Sequence, residues 1–430
     1  MLFFFTNAVF SRQLDLSLMQ AIDLALSEKG NPRVRLVEEM VSRSEKSANV
    51  SRAGLLPHVE GYFGIQRKTV NLEAFGIQPN PILGIQTLVG PFTTIDARAT
   101  LTQTIFDLST IRRYQASRSG VEAARGDSFR TQDAVAVDTA KAYVEALRAR
   151  AALETSQASV ELAEALLKLA ESQMSAGTGT GIEVTRARVQ SSNEQQQRLS
   201  AETEFHSALL RLLKLIGLPL SHQVRLTDRL VETPPTVKSV ETAIVEGLRT
   251  RSDLEVQRLR ERGAELSYDS IRWQRLPSLV GFADYGTIGV DTSSQLPTWT
   301  VGATLRIPIF DGGAVDARRG EKASEWRQEK IRTEELERQV ELEIRLAYQT
   351  LKLASQQIRV AKEGLNLADQ ELQQARRRYM AGVTTSIEVT DAQSRLRRAE
   401  ENWVTALYRH TMARVDLYDA MGVVRSAHLP

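Results

Sequence analysis

The sequence predicts a mainly α-helical chain with a small β part, built from two copies of one long helical hairpin. Three observations carry this reading. Two stretches, 92–218 and 309–429, contain no proline, a residue that costs roughly 3 kcal/mol inside a helix. Short blocks recur in the same order about half a chain apart. The segments ahead of the longest helical stretches alternate apolar and polar residues with period two, as a strand with one apolar face does.

The repeat organises everything else. Ala99-Thr100-Leu101 and Ile105-Phe106-Asp107 return as Ala303-Thr304-Leu305 and Ile309-Phe310-Asp311, at an offset of 204 residues. Ala176-Gly177 and Ile182-Glu183-Val184-Thr185 return as Ala381-Gly382 and Ile387-Glu388-Val389-Thr390, at an offset of 205. Leu56-Pro57 matches Leu276-Pro277 at 220. The expected domains are a first repeat over 14–220, a second over 221–424 and a tail over 425–430. In residues 1–13, Leu2 to Phe5 and Ala8 to Phe10 form an apolar stretch with no preceding Lys or Arg. Two readings stay open there: an ordinary buried start, or the remnant of a secretory signal whose basic beginning is missing from this reading frame.

Each repeat then runs in one order: a helix, the Leu-Pro step, a β segment, a loop, a second β segment, a very long helix, a glycine break and a return helix. Val301, Ala303, Leu305, Ile307 and Ile309 share one strand parity, opposite Thr300, Thr304 and Arg306. In the first repeat Ile95, Ala97, Ala99, Leu101 and Ile105 stand opposite Asp96, Arg98, Thr100 and Thr104. The segments Val59–Thr69 and Leu279–Val290 alternate less well. Strands of about ten residues with one apolar face suit a membrane β-barrel. Trp299 and Trp273 lie near a strand end and a helix end, as interfacial anchors or as packing residues.

The helix expected over about 313–380 carries Ile344, Leu351, Ile358, Leu365, Leu372 and Tyr379 every seventh residue, interleaved with Ala347, Ala354, Ala361, Ala368 and Ala375. Its return helix repeats this with Val389, Leu396, Trp403, His410 and Leu417. Sustained 4-3 spacing specifies left-handed coiled-coil packing. His410 is read as a packing residue, on the stripe where the first half has Phe205. A further row, Leu346, Leu353, Val360 and Leu367, widens the apolar surface, so the helix is expected to touch neighbours on two sides.

Composition narrows the function. Lys+Arg of 55 against Asp+Glu of 53 leaves a net charge of +2, too little for a nucleic-acid grip built on gross charge. With no cysteine and no two of the five histidines at ligand spacing, neither thiolate nor zinc chemistry is expected. The Gly177–Gly181 run lacks the Gly-Lys-Ser/Thr ending of a phosphate loop and reads as a hairpin break. No apolar run approaches the ~18–20 residues of a membrane-spanning helix. Four strands cannot close a barrel, whose smallest bacterial examples have about eight. Because open edges are not tolerated in lipid, several chains would have to share one.

The duplication, the strand ending in Ile309-Phe310-Asp311-Gly312-Gly313, and Tyr379-Met380-Ala381-Gly382 followed by Ile387-Glu388-Val389-Thr390-Asp391-Ala392-Gln393 resemble the outer membrane efflux protein family, best known through TolC. The likeness runs from about residue 14 to 424. It implies a homotrimer in which four strands from each chain form a shared 12-stranded β-barrel in outer-membrane lipid. The long hairpins would form a trimeric α-barrel in the periplasm. It further implies an exit duct for an inner-membrane transporter, reached through a periplasmic adaptor (membrane fusion) protein, in tripartite efflux or type I secretion. Transport is driven elsewhere, so no enzyme activity, cofactor, metal or nucleic-acid partner is expected.

The resemblance also places site residues. Glu388 and Asp391 match the family's paired acidic positions near the hairpin tip, with Glu in place of the first Asp, and are expected to line the pore constriction. Being three apart, they share a helix face, although Asp391 could simply pair with Arg395. Arg186, accompanied by Glu183, is the expected closed-state partner of Asp391. The hairpin tips, Gly177 and Gly181 in one repeat and Tyr379, Gly382 and Thr384 in the other, are expected to dock the adaptor. Thr384 stands where some members carry an Arg, so their salt-bridge latch is absent or rebuilt here. The lack of cysteine argues against the lipid-anchored subgroup. Two other classes compete: a periplasmic adaptor, which would carry one hairpin rather than a tandem pair, and a structural coiled coil, which has no need of matched Ile-Phe-Asp strands.

Overall fold

The computed structural model describes residues 14–27, 30–76, 87–233 and 239–425. The apolar stretch within 1–13 and the tail beyond Arg425 lie outside the described residues. The first half contains β1 (Leu14–Leu16), α1 (Leu18–Leu26), α2 (Pro32–Ala53), β2 (His58–Asn71), β3 (Leu88–Phe106), α3 (Leu108–Ser175) and α4 (Gly181–Ile216). The second contains β4 (Val224–Leu226), α5 (Val240–Thr250), α6 (Ser252–Arg272), β5 (Ser278–Gly289), β6 (Leu296–Arg306), α7 (Ala314–Met380) and α8 (Ser386–Ala420). In both halves a helix is followed by a strand pair, a long helix and a return helix. Among the described residues, no helix is long and apolar enough to cross a membrane.

The two longest helices, of 68 and 67 residues, start at the repeated Ile-Phe-Asp blocks for a physical reason. The Asp107 carboxylate accepts hydrogen bonds from the backbone N–H groups of Ser109 (2.9 Å) and Thr110 (3.2 Å). The Asp311 carboxylate accepts from those of Gly313 (3.1 Å) and Val315 (2.7 Å). Each aspartate satisfies donors that have no partner in the first helical turn.

The chain forms two compact units, each drawing on both halves. One comprises the described chain up to Met40, Arg125–Glu255 and the stretch from Glu334 onward. Its largest core packs Tyr143 and Leu147 of α3 with Leu212 and Ile216 of α4, Leu16 of β1, Leu18 and Ile22 of α1, and Leu226 of β4. Strands β1 and β4 pair in parallel, and Asp15 and Arg225 face each other across that pair in a two-pronged ion pair (2.8 Å each). The Tyr143 hydroxyl, deep in the core, lies 2.8 Å from the Leu16 carbonyl and 2.9 Å from the Asp228 carboxylate.

The heptad stripe of α7 is buried in the same unit. Val340, Ile344, Leu351, Ile358, Leu372 and Tyr379 lie inside, as do Val389, Ala392, Ala406, His410, Ala413 and Leu417 of α8. The further row on α7 is not covered: Leu346, Leu353, Val360 and Leu367 are 48–72% exposed.

The second unit, Val41–Ala124 with Val256–Thr333, holds a four-stranded antiparallel sheet in the order β2-β3-β5-β6. Close helix contacts support it: the Ser119 hydroxyl donates to the Leu259 carbonyl (2.8 Å), and the Tyr268 and Trp326 rings stack at 5.9 Å. The alternation expected up to Ile309 overruns the strand, which ends at Arg306. Pro308 has no backbone N–H to donate to the ladder, and Ile309 and Phe310 are exposed.

Candidate hairpin tips and membrane face

The two hairpin turns are built alike. Helix α3 ends with Gly177 at φ 75° and α7 with Gly382 at φ 69°, in the left-handed region where a side chain is strained. The Gly177 N–H donates to the Met174 carbonyl and the Thr178 N–H to that of Gln173 (3.1 and 3.0 Å). At the second tip Gly382 donates to Tyr379 and Val383 to Arg378, both at 3.0 Å. This nested pair of bonds closes the free carbonyls of a helix end.

The acidic residues that open the return helices differ in use. Glu183 turns back on the start of α4, accepting from the Thr180 N–H (3.0 Å) and the Thr180 hydroxyl (3.1 Å). Glu388, its counterpart, accepts instead from the Thr384 hydroxyl and lies 3.2 Å from the Arg378 guanidinium. Glu388 is half-buried and Asp391 exposed. Asp391 does not pair with Arg395, which reaches across the hairpin to Glu371 (2.8 Å). Arg186 is exposed, and no ion pair joins it to Asp391 among the described residues. Tyr379, expected among the docking residues, is only 7% exposed. It packs with Leu372, Ala375, Val389 and Ala392 and with Leu162, Leu166 and Leu169 of α3. Burial, and then the nearby Glu183 carboxylate, push its phenol upward. The heptad that carries it points it into the hairpin packing, so it offers no docking surface. Gly177, Gly181 and Gly382 are exposed.

The sheet has two chemically distinct faces, and its register defines them, since residues paired across strands share a face. One face carries the rows Val59–Leu101–Ala283–Val301, Gly61–Ala99–Tyr285–Trp299 and Phe63–Ala97–Thr287–Pro297. Its large apolar side chains are open to the surroundings, with Phe63 at 68% and Trp299 at 73% exposure. The other face carries Gly64–Asp96–Ile288–Leu296, Tyr62–Arg98–Gly286–Thr298 and Glu60–Thr100–Asp284–Thr300. The outer strands β2 and β6 each have one unpaired edge among the described residues. Trp273 differs from Trp299. Its indole N–H is buried without a partner, and the Arg272 guanidinium lies 5.1 Å from its ring.

The model of the family described as outer membrane efflux protein matches residues 22–218 and 243–423. The chain belongs to that family. It is 25% identical to the pyoverdine export outer membrane protein OpmQ of Pseudomonas putida, over 75% of this chain and 71% of that protein. It is 22% identical to the proteases secretion protein PrtF of Dickeya chrysanthemi, over 95% of this chain and 88% of that one. In fold it is similar to the CmeC outer membrane channel of Campylobacter jejuni, with a TM-score of 0.79 at 18% identity, covering 94% of this chain and 85% of that one.

As an outer membrane efflux protein, the chain carries two tip features that the sequence reading passed over. The first is Arg378, one residue before Tyr379, which supplies a guanidinium to the second tip beside Thr384. The second is the Thr-x-x-Glu spacing at 180–183, a recognised helix-start pattern that assigns Glu183 to capping. Among the described residues, no group of three or more acidic or histidine side chains forms a metal cage.

Proposed function

We propose that three copies of this chain form the outer-membrane duct of a tripartite efflux or type I secretion system. The observation that carries the reading is the two-faced sheet with two open edges. An apolar face of that extent needs lipid or protein against it, and open edges are not tolerated in lipid. Joining β6 of one copy to β2 of the next removes every edge, and three copies supply 12 strands. Family membership and the export roles in the names of OpmQ and PrtF support the same reading. The sheet then lies in the outer membrane, and the helical hairpins extend into the periplasm. There the exposed turn residues Gly177, Gly181 and Gly382 dock a periplasmic adaptor, which passes substrate from an inner-membrane transporter. The uncovered row Leu346, Leu353, Val360 and Leu367 packs against the neighbouring copy.

At the tip, Asp391 supplies the free negative charge of the constriction, while Arg378 offsets that of Glu388. Arg186 meets Asp391 in the closed state, and Glu183 holds the start of that helix in place. The test is purification in detergent followed by light scattering and planar-bilayer recording. A trimer that conducts, and whose cation preference weakens when Glu388 and Asp391 are replaced by Ala, is the expected result. A stable folded monomer without conductance overturns the reading.

A further inference from the structure

We propose that a second charge filter, separate from the hairpin tips, lies in the sheet itself, where Asp96, Arg98, Asp284 and Glu60 make the membrane-spanning part of the duct prefer cations. The inference rests on the duct reading above.

The residues meet because of register. Asp96 and Arg98 are two apart on β3 and so point to one face. Asp284 lies opposite Thr100, which also faces that way, and Glu60 pairs with Thr100 from the other side. The Arg98 guanidinium grips both oxygens of Asp96 (2.8 and 2.7 Å) and reaches Asp284 at 3.3 Å. The three side chains are only 15–28% exposed, so the cluster is held in place rather than waving in solvent. The Glu60 carboxylate contacts His58 at 2.9 Å. With histidine counted neutral, three carboxylates face one guanidinium, leaving two net negative charges on each chain.

Other charges on this face do not cancel that excess. Lys68 lies four residues along β2 from Gly64, the partner of Asp96, hence about 14 Å from the nearest of these acids at ~3.4 Å per residue. Arg306 pairs with Ser278, six residues from Asp284 along β5, hence about 20 Å away. Both separations exceed the Debye length of about 8–10 Å at physiological salt. The excess is therefore local, a band part-way along the strands. The opposite face carries no charge from Val59 to Ile65 on β2, from Ile95 to Leu101 on β3, or along β5 and β6. Only the banded face suits water, so closure of the sheet turns the band inward. Rings of acidic side chains favour cations in other pores.

Arg98 gives the proposal a two-sided signature. Removing it adds net negative charge, whereas removing the carboxylates subtracts it. The measurement is the reversal potential of single channels in planar bilayers under a KCl gradient at low ionic strength. The background carries Glu388→Ala and Asp391→Ala, so that the tips do not dominate. Asp96→Asn with Asp284→Asn should lower the potassium-to-chloride permeability ratio by about two-fold or more, and Arg98→Gln should raise it. Glu60→Gln, at an exposed position outside the Arg98 cluster, should lower it more mildly and guards against a folding defect in the others. All three shifts should shrink at 1 M salt, where the Debye length is about 3 Å. Channels that conduct normally with unchanged selectivity in all variants would overturn the filter while leaving the duct intact. Failure of the unsubstituted protein to conduct at all would overturn the duct reading itself.

Discussion

Glu183 and Glu388 occupy the same position in two equivalent turns, yet Glu183 closes on the backbone of Thr180 while Glu388 is held by Thr384 and Arg378. The duplicated sequence has kept the carboxylate and changed its partners. At the first tip, position 179 is Gly and position 173 is Gln, so neither the hydroxyl nor the guanidinium is available. A capping carboxylate stabilises its own helix start; a carboxylate tied to the preceding helix joins the two arms of the hairpin.

That difference predicts opposite footprints in hydrogen exchange. Glu183→Ala should speed exchange of the first amides of α4, in line with the ~0.5–2 kcal/mol typical of a lost cap. Glu388→Ala should act mainly on the turn and the last residues of α7, and more weakly, since half-exposed ion pairs contribute only ~0.2–1 kcal/mol. Identical footprints at the two tips would show that the partners do not matter.

Asp107 and Asp311 are predicted to be the stabilising caps of the two longest helices. Replacing either by Ala should lower unfolding stability by about 1 kcal/mol, whereas Asn, which retains an acceptor, should cost much less. Thermal unfolding of the two substitutions side by side checks this. An equal loss for Ala and Asn would point to charge rather than hydrogen bonding as the source.

Several of these relationships could be read from the sequence, and the reason differs from case to case. Long helices and strand faces depend on periodicity, which survives in a single sequence: the Ile344-to-Tyr379 stripe is buried as expected except at Leu365, which is half-buried. Tip chemistry depends on which rotamer finds which partner. The 4-3 spacing shows that Tyr379 faces the seam, but nothing in that spacing tells Glu388 to choose Arg378 over its own N-cap. The irregular strands resisted for another reason. β2 and β5 put Gly61, Gly64, Gly281 and Gly286 among their alternating positions, which blurs the pattern that register restores. The row of Leu346, Leu353, Val360 and Leu367 shows in one chain only as uncovered residues.

His410 supplies a sharper test of the repeat. It is almost fully buried, and its Nδ1 finds no partner among the described residues. Burial, and then Arg414, hold its pKa below the ordinary range, so it packs as a neutral ring. Phe205 fills the matching position of the first half. His410→Phe should therefore cost less than about 1.5 kcal/mol, the range for volume-conserving core swaps. His410→Ala should cost about 2–5 kcal/mol by leaving a cavity. Chemical denaturation measures both. A Phe variant as damaged as the Ala variant would mean that the imidazole does something other than fill space.

The last prediction concerns pH. The Glu400 carboxyl on α8 is pushed up to about 7, first by burial and then by the charges of Asp369, Glu401 and Glu194. Glu194 on α4 is only 3% exposed and is also raised, first by burial. Its Oε1 accepts from the Gln190 side chain (2.7 Å), Arg397 stands 3.9 Å away and already pairs with Glu401, and its Oε2 has no partner. An unfolded glutamate loses its proton near 4.5, whereas folded Glu400 keeps it to about 7. Between these values the folded chain binds more protons, so stability falls as pH rises. The contribution is complete below 4.5 and lost above about 7. Asp253, lowered through its contact with Arg251, works in the opposite sense at acid pH, and His410, lowered by burial, also opposes Glu400 up to the ordinary histidine pKa of 6.5. Raising pH from 5 to 8 should thus remove on the order of 1–3 kcal/mol of the Glu400 contribution, and Glu400→Gln should shift the pH dependence toward greater stability at pH 8. Unfolding followed across that range decides it, because a variant as pH-sensitive as the parent would leave Glu400 without a role in the dependence.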